Sequence, residues 1–315
     1  MADLPVGLNL QDHIYPGGLH FITDKPEASY MQRKIQKPKN FVKYFASGSG
    51  PLASTGGLEG LGFIRTKFAN HSLDFPDFEI HLVCACISSD DGRIFRHNLG
   101  ITEEIWKKVY YPHVGEECFS LFPVLLRPKS FGYLKLRSKS PYSPPIIQPN
   151  YLTDPQDIKS MVEAMKITIK VGQSLPMRSL GAKLIENVIP GQYFFKDLID
   201  CDIERPLATG CEHYKQWSDP YLACVARTLT HTIYHPVGTC RMGARDDPRS
   251  VVDPELRVIG VKRLRVADGS IIPQLISGNT NAPIIMIGEK AADLMRGKRL
   301  KPIFRPHFKY KPIYS

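Results

Sequence analysis

The order of apolar and polar residues along the chain predicts its elements before any motif is considered. Phe78 to Ile87 reads F-E-I-H-L-V-C-A-C-I, a β-branched and aromatic run bounded by Pro76 and by Ser88-Ser89-Asp90-Asp91. That pattern predicts a strand. Leu121 to Leu126 and Gly132 to Arg137 predict two more around Arg127-Pro128-Lys129. In the second, Tyr133 and Lys135 oppose Leu134 and Leu136, the alternation of a pleated strand. Pro141, Pro144 and Pro145 then force an extended connection. After them the period changes. Ile158, Met161, Val162, Met165 and Ile169 recur at helical spacing, behind Asp154 as N-cap, Pro155 at the first helical position and Asp157 in the first turn. This helix is expected to fade between Gly172 and Pro176. Ser218 and Pro220 open a second helix with Leu222, Val225 and Leu229 as its inner stripe, and it delivers the chain to His231 and His235. Residues 186–217 carry little signal. Antiparallel-looking strands mixed with separate helices predict an α+β domain.

Composition narrows the class. The chain has 315 residues, 43% hydrophobic and 23% charged, which suits two domains or one large one. No run approaches the ~20 apolar residues of a membrane span, and Met-Ala-Asp-Leu-Pro-Val-Gly has neither the basic nor the apolar part of a secretory leader. The net charge of +10 would suit nucleic acid, but Arg296, Lys298, Arg299, Lys301, Arg305, Lys309 and Lys311 supply much of it in a tail with no acid among them. A tail of this kind, without a groove-reading element, reads as a solvated end, so no nucleic-acid partner is expected. Seven cysteines lack paired zinc spacing, and no metal site is expected. Cys84 and Cys86 alternate on the first strand and read as core packing, whereas Cys211 and Cys224 could bridge in an oxidising compartment. Asn70-His71-Ser72 is a glycosylation sequon that matters only in such a compartment.

Candidate chemistry gathers between Thr230 and Ala292. His235 stands directly before Pro236-Val237-Gly238, where the proline favours an extended histidine and the glycine permits a tight reversal. Alcohol oxidation needs a base near working pH, and histidine at ~6.5 is the natural candidate. Taken by itself, a lone histidine at such a turn is more often structural. His231 reads as a packing or hydrogen-bonding residue, and Val252-Asp253-Pro254 as structural. Cys240 has no adjacent base and is discounted as a nucleophile. The basic run Leu264 to Ala267 stops at Asp268-Gly269, a strand-ending turn or a close approach to a ligand. A polar elbow, Ser277 to Asn281, opens an apolar helix at Asn281, Ala282 and Pro283, whose free N–H groups can hold negative charge. Gly48-Ser49-Gly50-Pro51-Leu52-Ala53 fits a dinucleotide-binding fingerprint, but no strand precedes it and no long helix follows, so it is read as a loop.

The joined pieces Y-H-P-V-G-T-C-R-M-G, V-V-D, L-R-V-A-D-G-S, N-T-N-A-P and G-E-K-A-A-D resemble the C-terminal signature of the glucose–methanol–choline oxidoreductases. The insect glucose dehydrogenase-like branch looks similar over nearly the whole chain. The resemblance implies FAD-dependent oxidation of an alcohol or sugar by hydride transfer to flavin, with oxygen or a quinone as electron acceptor. His235 would be the base and Asn279 its partner, with Asn281 the rival for that place. Asp268 and Gly269 would approach the FAD pyrophosphate and ribityl region, and the helix start at Asn281, Ala282 and Pro283 would face the flavin. The implied architecture is a linking segment over 1–60, an antiparallel-sheet substrate-binding domain with flanking helices over 61–230, catalytic and FAD-contacting strand–turn–helix elements over 231–295 that complete a Rossmann-like domain, and a basic tail over 296–315. The resemblance to the insect branch implies an extracellular location, although no secretory leader is visible in this sequence. Residues 3–13, D-L-P-V-G-L-N-L-Q-D-H, resemble a segment that lies well inside complete members, after the dinucleotide-binding region. The resemblance therefore implies a C-terminal half. A non-catalytic fragment or repurposed binding module is the alternative.

Overall fold

Paired strands run through the front of the chain and helices follow. The computed structural model describes residues 2–25, 32–54, 57–186 and 211–297. Its strands are β1 (Leu8–Leu10), β2 (Ile14–Pro16), β3 (His20–Ile22), β4 (Leu58–Ile64), β5 (Phe78–Val83), β6 (Cys118–Leu125), β7 (Gly132–Lys135), β8 (Ile146–Gln148), β9 (Lys183–Leu184) and β10 (Thr230–Thr232). The longer helices are α1 (Pro38–Ser47), α2 (Pro155–Gly172), α3 (Asp219–Thr228) and α4 (Asn281–Met295). These strands pair antiparallel with one another, so the α+β expectation holds.

The main sheet is built on β6. One of its edges pairs with β5, which pairs in turn with β4, and its other edge takes β2 and β3. β10 and β9 continue outward from β2 and β3. The smaller sheet has the order β1-β7-β8.

Alternation along these strands separates two faces. Ile14, Phe78 and Leu125 lie on one, against Met161, Met165, Leu222 and Val225 of α2 and α3. The stripes predicted for both helices are thus their buried stripes. Asp154 accepts from Gln156 N–H and Ser218 Oγ from Tyr221 N–H, so both predicted caps form. The other face carries Glu79 opposite Val124, His81 opposite Phe122 and Tyr15 opposite His231. Polar side chains on this face are buried too, which marks it as the site side. A second core joins Val237, Val252, Ile271, Ile272, Ile287 and Ala291 beneath the C-terminal segment.

Three expectations need correction. The strand predicted from Phe78 to Ile87 ends at Val83, because Ser89 Oγ accepts from Cys86 N–H and a 3-10 turn, Ile87–Asp90, takes over. Cys86 is not merely packed, for it is bonded to Cys118. Leu264 to Ala267 forms no ladder. Arg265 makes a single bridge to Arg257 across the turn at Gly260, and Leu264 is exposed. Cys211 and Cys224 do bridge. The decoy glycine segment follows α1 and not a strand, with Gly48 as its left-handed C-cap. Most of the low-signal region, 187–210, and the tail from 298 lie outside the described residues. Among the described residues no helix is long and apolar enough to cross a membrane.

Candidate active site

The site is assembled from the two ends of the sequence. Gln11 and Val237 exchange backbone hydrogen bonds of 3.0 and 2.9 Å. Asn9 Nδ2 donates to Gly238 O and Pro273 O, and Gln11 Oε1 accepts from Leu275 N–H. Residues 9–13 therefore clamp the histidine turn to the loop that leads into α4. The turn depends on glycine. Gly238 has φ of 98°, and a Cβ there would stand 2.3 Å from Asn9 O. Tyr234, just before the histidine, is held at φ 63°, a conformation costly for a bulky residue, with its N–H donating to Thr232 Oγ1.

Asp12 is buried and accepts from His235 N–H at 3.0 Å, from Thr232 Oγ1 and from the Tyr151 hydroxyl. These donors oppose the upward push that burial gives its pKa. Burial likewise drives the Tyr151 hydroxyl pKa up, with the Asp12 carboxylate beside it adding to the rise.

His13 and His235 meet through their Nδ1 atoms at 2.9 Å. The other nitrogen of His13, Nε2, lies 3.1 Å from Leu126 O and 3.0 Å from Ile276 O. Carbonyls only accept, so the His13 proton sits on Nε2 and its Nδ1 carries a lone pair. Burial, helped by the neighbouring His235, lowers the His13 pKa to about 4, so the ring is neutral near pH 7. His235 must then donate from Nδ1, and its lone pair is on Nε2. Burial lowers the His235 pKa as well, against the opposing charge of Asp12. The result is a neutral, half-buried imidazole with a fixed tautomer.

Glu79 and His81 lie behind this pair, with Nε2 and Oε2 3.4 Å apart and both side chains buried. The carboxylate of Glu79 favours the charged form of both His13 and His235. Glu79 Oε1, His81 Nε2 and Ser277 Oγ are buried without a hydrogen-bond partner among the described residues. Such groups are rare unless a ligand or water completes them. Sequence reasoning gave none of His13, Asp12, Glu79 or His81 a role. The signal was there in part: Glu79 and His81 interrupt an apolar strand at spacing two, and Asp12-His13 closes the N-L-Q-D-H segment.

The predicted cofactor-binding segments come together. Asp268 is exposed and its Oδ1 accepts from Ser270 N–H at 2.8 Å. Gly269 is buried, and a Cβ on it would lie 3.0 Å from Ile284 Cδ1 and 3.6 Å from Val237 Cγ1. The Asp268-Gly269 turn thus touches both the histidine turn and α4. Residues 238–242 also donate along 269–271, through Gly238, Cys240 and Met242 N–H. No side chain caps the start of α4 and its first turn holds no acid, while Asn281 and Ala282 are exposed and Pro283 half-buried. Asn279 is exposed, and among the described residues no hydrogen bond joins it to His235. His231 is buried in β10, stacked at a tilt on Tyr15. Burial lowers its pKa to about 4, consistent with packing.

Residues 128–288 match the family described as GMC oxidoreductase. The chain is 32% identical to glucose dehydrogenase (FAD, quinone) of Drosophila melanogaster over 298 residues, which cover 92% of this chain and 40% of that one. It is 34% identical to alcohol dehydrogenase (acceptor) of Pseudomonas putida, over 93% of this chain and 44% of that one. The chain therefore spans about two-fifths of the length of these relatives. Among solved structures, a formate oxidase of Aspergillus oryzae superposes with a TM-score of 0.65 at 24% identity, covering 93% of this chain and 47% of that one. At that identity the likeness establishes the fold.

Proposed function

The chain belongs to the GMC oxidoreductase family, and from that premise we propose that it serves FAD-dependent oxidation of an alcohol or sugar CH–OH group, with His235 as the base. The observation that carries this reading is the hydrogen-bond chain from Leu126 O and Ile276 O through His13 to His235 Nδ1, which leaves the His235 Nε2 lone pair available. The residues present suit the cofactor. The uncapped start of α4 at Asn281 and Ala282 offers backbone N–H groups and a positive dipole end to an electron-rich ring edge. Gly269 lets its turn pack closely on Ile284 of α4 and Val237 of the histidine turn, which holds the two segments read as cofactor-binding together. We read residues 231–295 as the strand–turn–helix elements that complete a Rossmann-like FAD domain, and 61–230 as the substrate-binding domain.

FAD, when bound, supplies the hydride acceptor that no side chain can provide. The remaining work falls to the chain. His235 Nε2 takes the hydroxyl proton of the substrate. His13 and Asp12 hold the ring so that only this nitrogen can do so. As His235 becomes a cation, the fields of Asp12 and Glu79 stabilise it. Asn279 is assigned a hydrogen bond to the substrate oxygen, because an amide cannot act as a base. A quinone, which the name of the Drosophila relative prints, fits as the electron acceptor.

A second reading, a binding module without turnover, is favoured by α4. Its Ile285 and Met286 are 58% and 57% exposed, an apolar surface that would suit a partner. Adding FAD to the purified 315-residue chain and then removing free flavin by gel filtration separates the two. Retained flavin absorbance supports the oxidoreductase reading, and a colourless protein supports the binding module.

A further inference from the structure

Asn70-His71-Ser72 is the one Asn-X-Ser/Thr sequence in the 315 residues, and the fold presents it on the loop between β4 and β5. The base of that loop is fixed. Thr66 N–H donates to Asp77 Oδ1 at 2.8 Å and the Thr66 hydroxyl to Asp77 Oδ2, while the Arg127 guanidinium lies 4.8 Å from the centre of the Phe75 ring. Two turns follow one another in the loop, with Ala69 N–H donating to Thr66 O and Leu73 N–H to Asn70 O. Residues 70–75 are all exposed. Ser72 sets the orientation of the Asn70 amide. A backbone N–H can only donate, so the atom 3.1 Å from Ser72 N is the amide oxygen, and the Ser72 hydroxyl donates to the same oxygen at 2.7 Å. Asn70 Nδ2 is thereby turned away from Ser72, on a residue open to solvent.

The cysteines indicate the compartment. Cys86–Cys118 and Cys211–Cys224 are disulfides, which account for four of the seven cysteines. Disulfides form and persist in oxidising compartments, and the secretory route that supplies one is also where this sequence motif is modified. We propose that Asn70 carries an N-linked oligosaccharide. In that reaction Asn70 Nδ2 forms a bond to the anomeric carbon of the first N-acetylglucosamine of a lipid diphosphate-linked oligosaccharide. The bond from that carbon to the diphosphate oxygen breaks, the lipid diphosphate leaves with the electron pair, and one amide proton passes to a base of the host's transferase. A group of that size on the loop commits this end of the sheet to solvent. The proposal is independent of the flavin reading.

Expression of the 315-residue chain behind a cleavable secretion leader in a eukaryotic host, with recovery from cells and medium alike, tests it. Treatment with a peptide N-glycosidase should increase the mobility of the chain on a gel and leave aspartate at position 70 in peptide mass mapping. Asn70→Gln and Ser72→Ala should each lose the shift, and Ser72→Thr, which restores the hydroxyl, should keep it. Thiol titration of the denatured protein should find at least four of the seven cysteines oxidised. Because the amide faces solvent, the glycosylated chain should melt no lower than the deglycosylated one. An unmodified Asn70 in a disulfide-bonded chain, a shift that survives in Asn70→Gln, or a chain recovered with all its thiols free overturns the proposal. So does a glycan that lowers the melting temperature, which would mean that the amide faces the fold.

Discussion

His13 Nδ1 lies 2.9 Å from His235 Nδ1, although the two residues are 222 positions apart in the sequence. The contact decides which nitrogen of His235 is free, because both carbonyls on His13 Nε2 can only accept. Nitrogen-15 NMR of histidine-labelled protein near pH 7 should find Nδ1 of His235 protonated and Nε2 bare. In His13→Ala the preference should be lost, with both tautomers populated. Wild-type protein with the proton on Nε2 of His235 would contradict the assignment.

Asp12 ties three elements through one carboxylate, accepting from His235 N–H, Thr232 and Tyr151. Asp12→Asn keeps the volume but cannot satisfy all three donors. Leaving one buried donor unpaired costs about 1–3 kcal/mol. Urea denaturation should therefore show a lower midpoint with an unchanged slope. An unaltered midpoint would mean that the clamp contributes nothing to stability.

The buried histidines set an acid limit. His13 and His231 are lowered from 6.5 to about 4, and His20 to about 3, each chiefly by burial. Below 6.5 the unfolded chain binds protons that the folded chain refuses, so stability falls as pH drops from 6.5 towards 4. Each histidine contributes on the order of 1.4 kcal/mol per pH unit in that window. Melting temperature should be flat above pH 7 and decline steeply below 6. A profile that stays flat down to pH 4.5 would contradict this.

Much of the framework was legible from local chemistry. Asp154 and Ser218 signal helix starts because a cap acts within three residues, and the Met161–Met165 stripe signals burial because a helix repeats every turn. His235 and Asp268-Gly269 stood out because each sits at a chain reversal whose glycine or proline is visible. What was missed depends on partners far away. His13 is an ordinary residue until the fold brings it to His235, and Cys86 looks like core until Cys118 arrives beside it. Leu264 to Ala267 has strand-forming residues, but a strand needs a neighbour that continues alongside it, and here the pairing stops at one bridge, Arg257 with Arg265, flanked by two backbone hydrogen bonds.

The disulfides should carry measurable stability. Cys86–Cys118 closes a separation of 32 residues and Cys211–Cys224 one of 13. Loop-closure entropy gives about 3.7 and about 2.9 kcal/mol respectively. Cys86→Ala/Cys118→Ala should lower the guanidinium midpoint more than Cys211→Ala/Cys224→Ala does. The reverse order would show that loop length is not what governs their effect.

The central claim, that His235 is the base of a flavin-dependent alcohol oxidation, is tested most directly by anaerobic flavin reduction. FAD-loaded wild-type and His235→Ala proteins would be mixed with candidate alcohols and sugars, and bleaching of the oxidised flavin followed. Wild type should bleach with at least one of them. His235→Ala should retain its flavin and bleach roughly 10²–10⁴-fold more slowly, with the loss in rate and not in substrate affinity. Equal rates in the two proteins, or a wild-type chain that binds no flavin, would contradict the account.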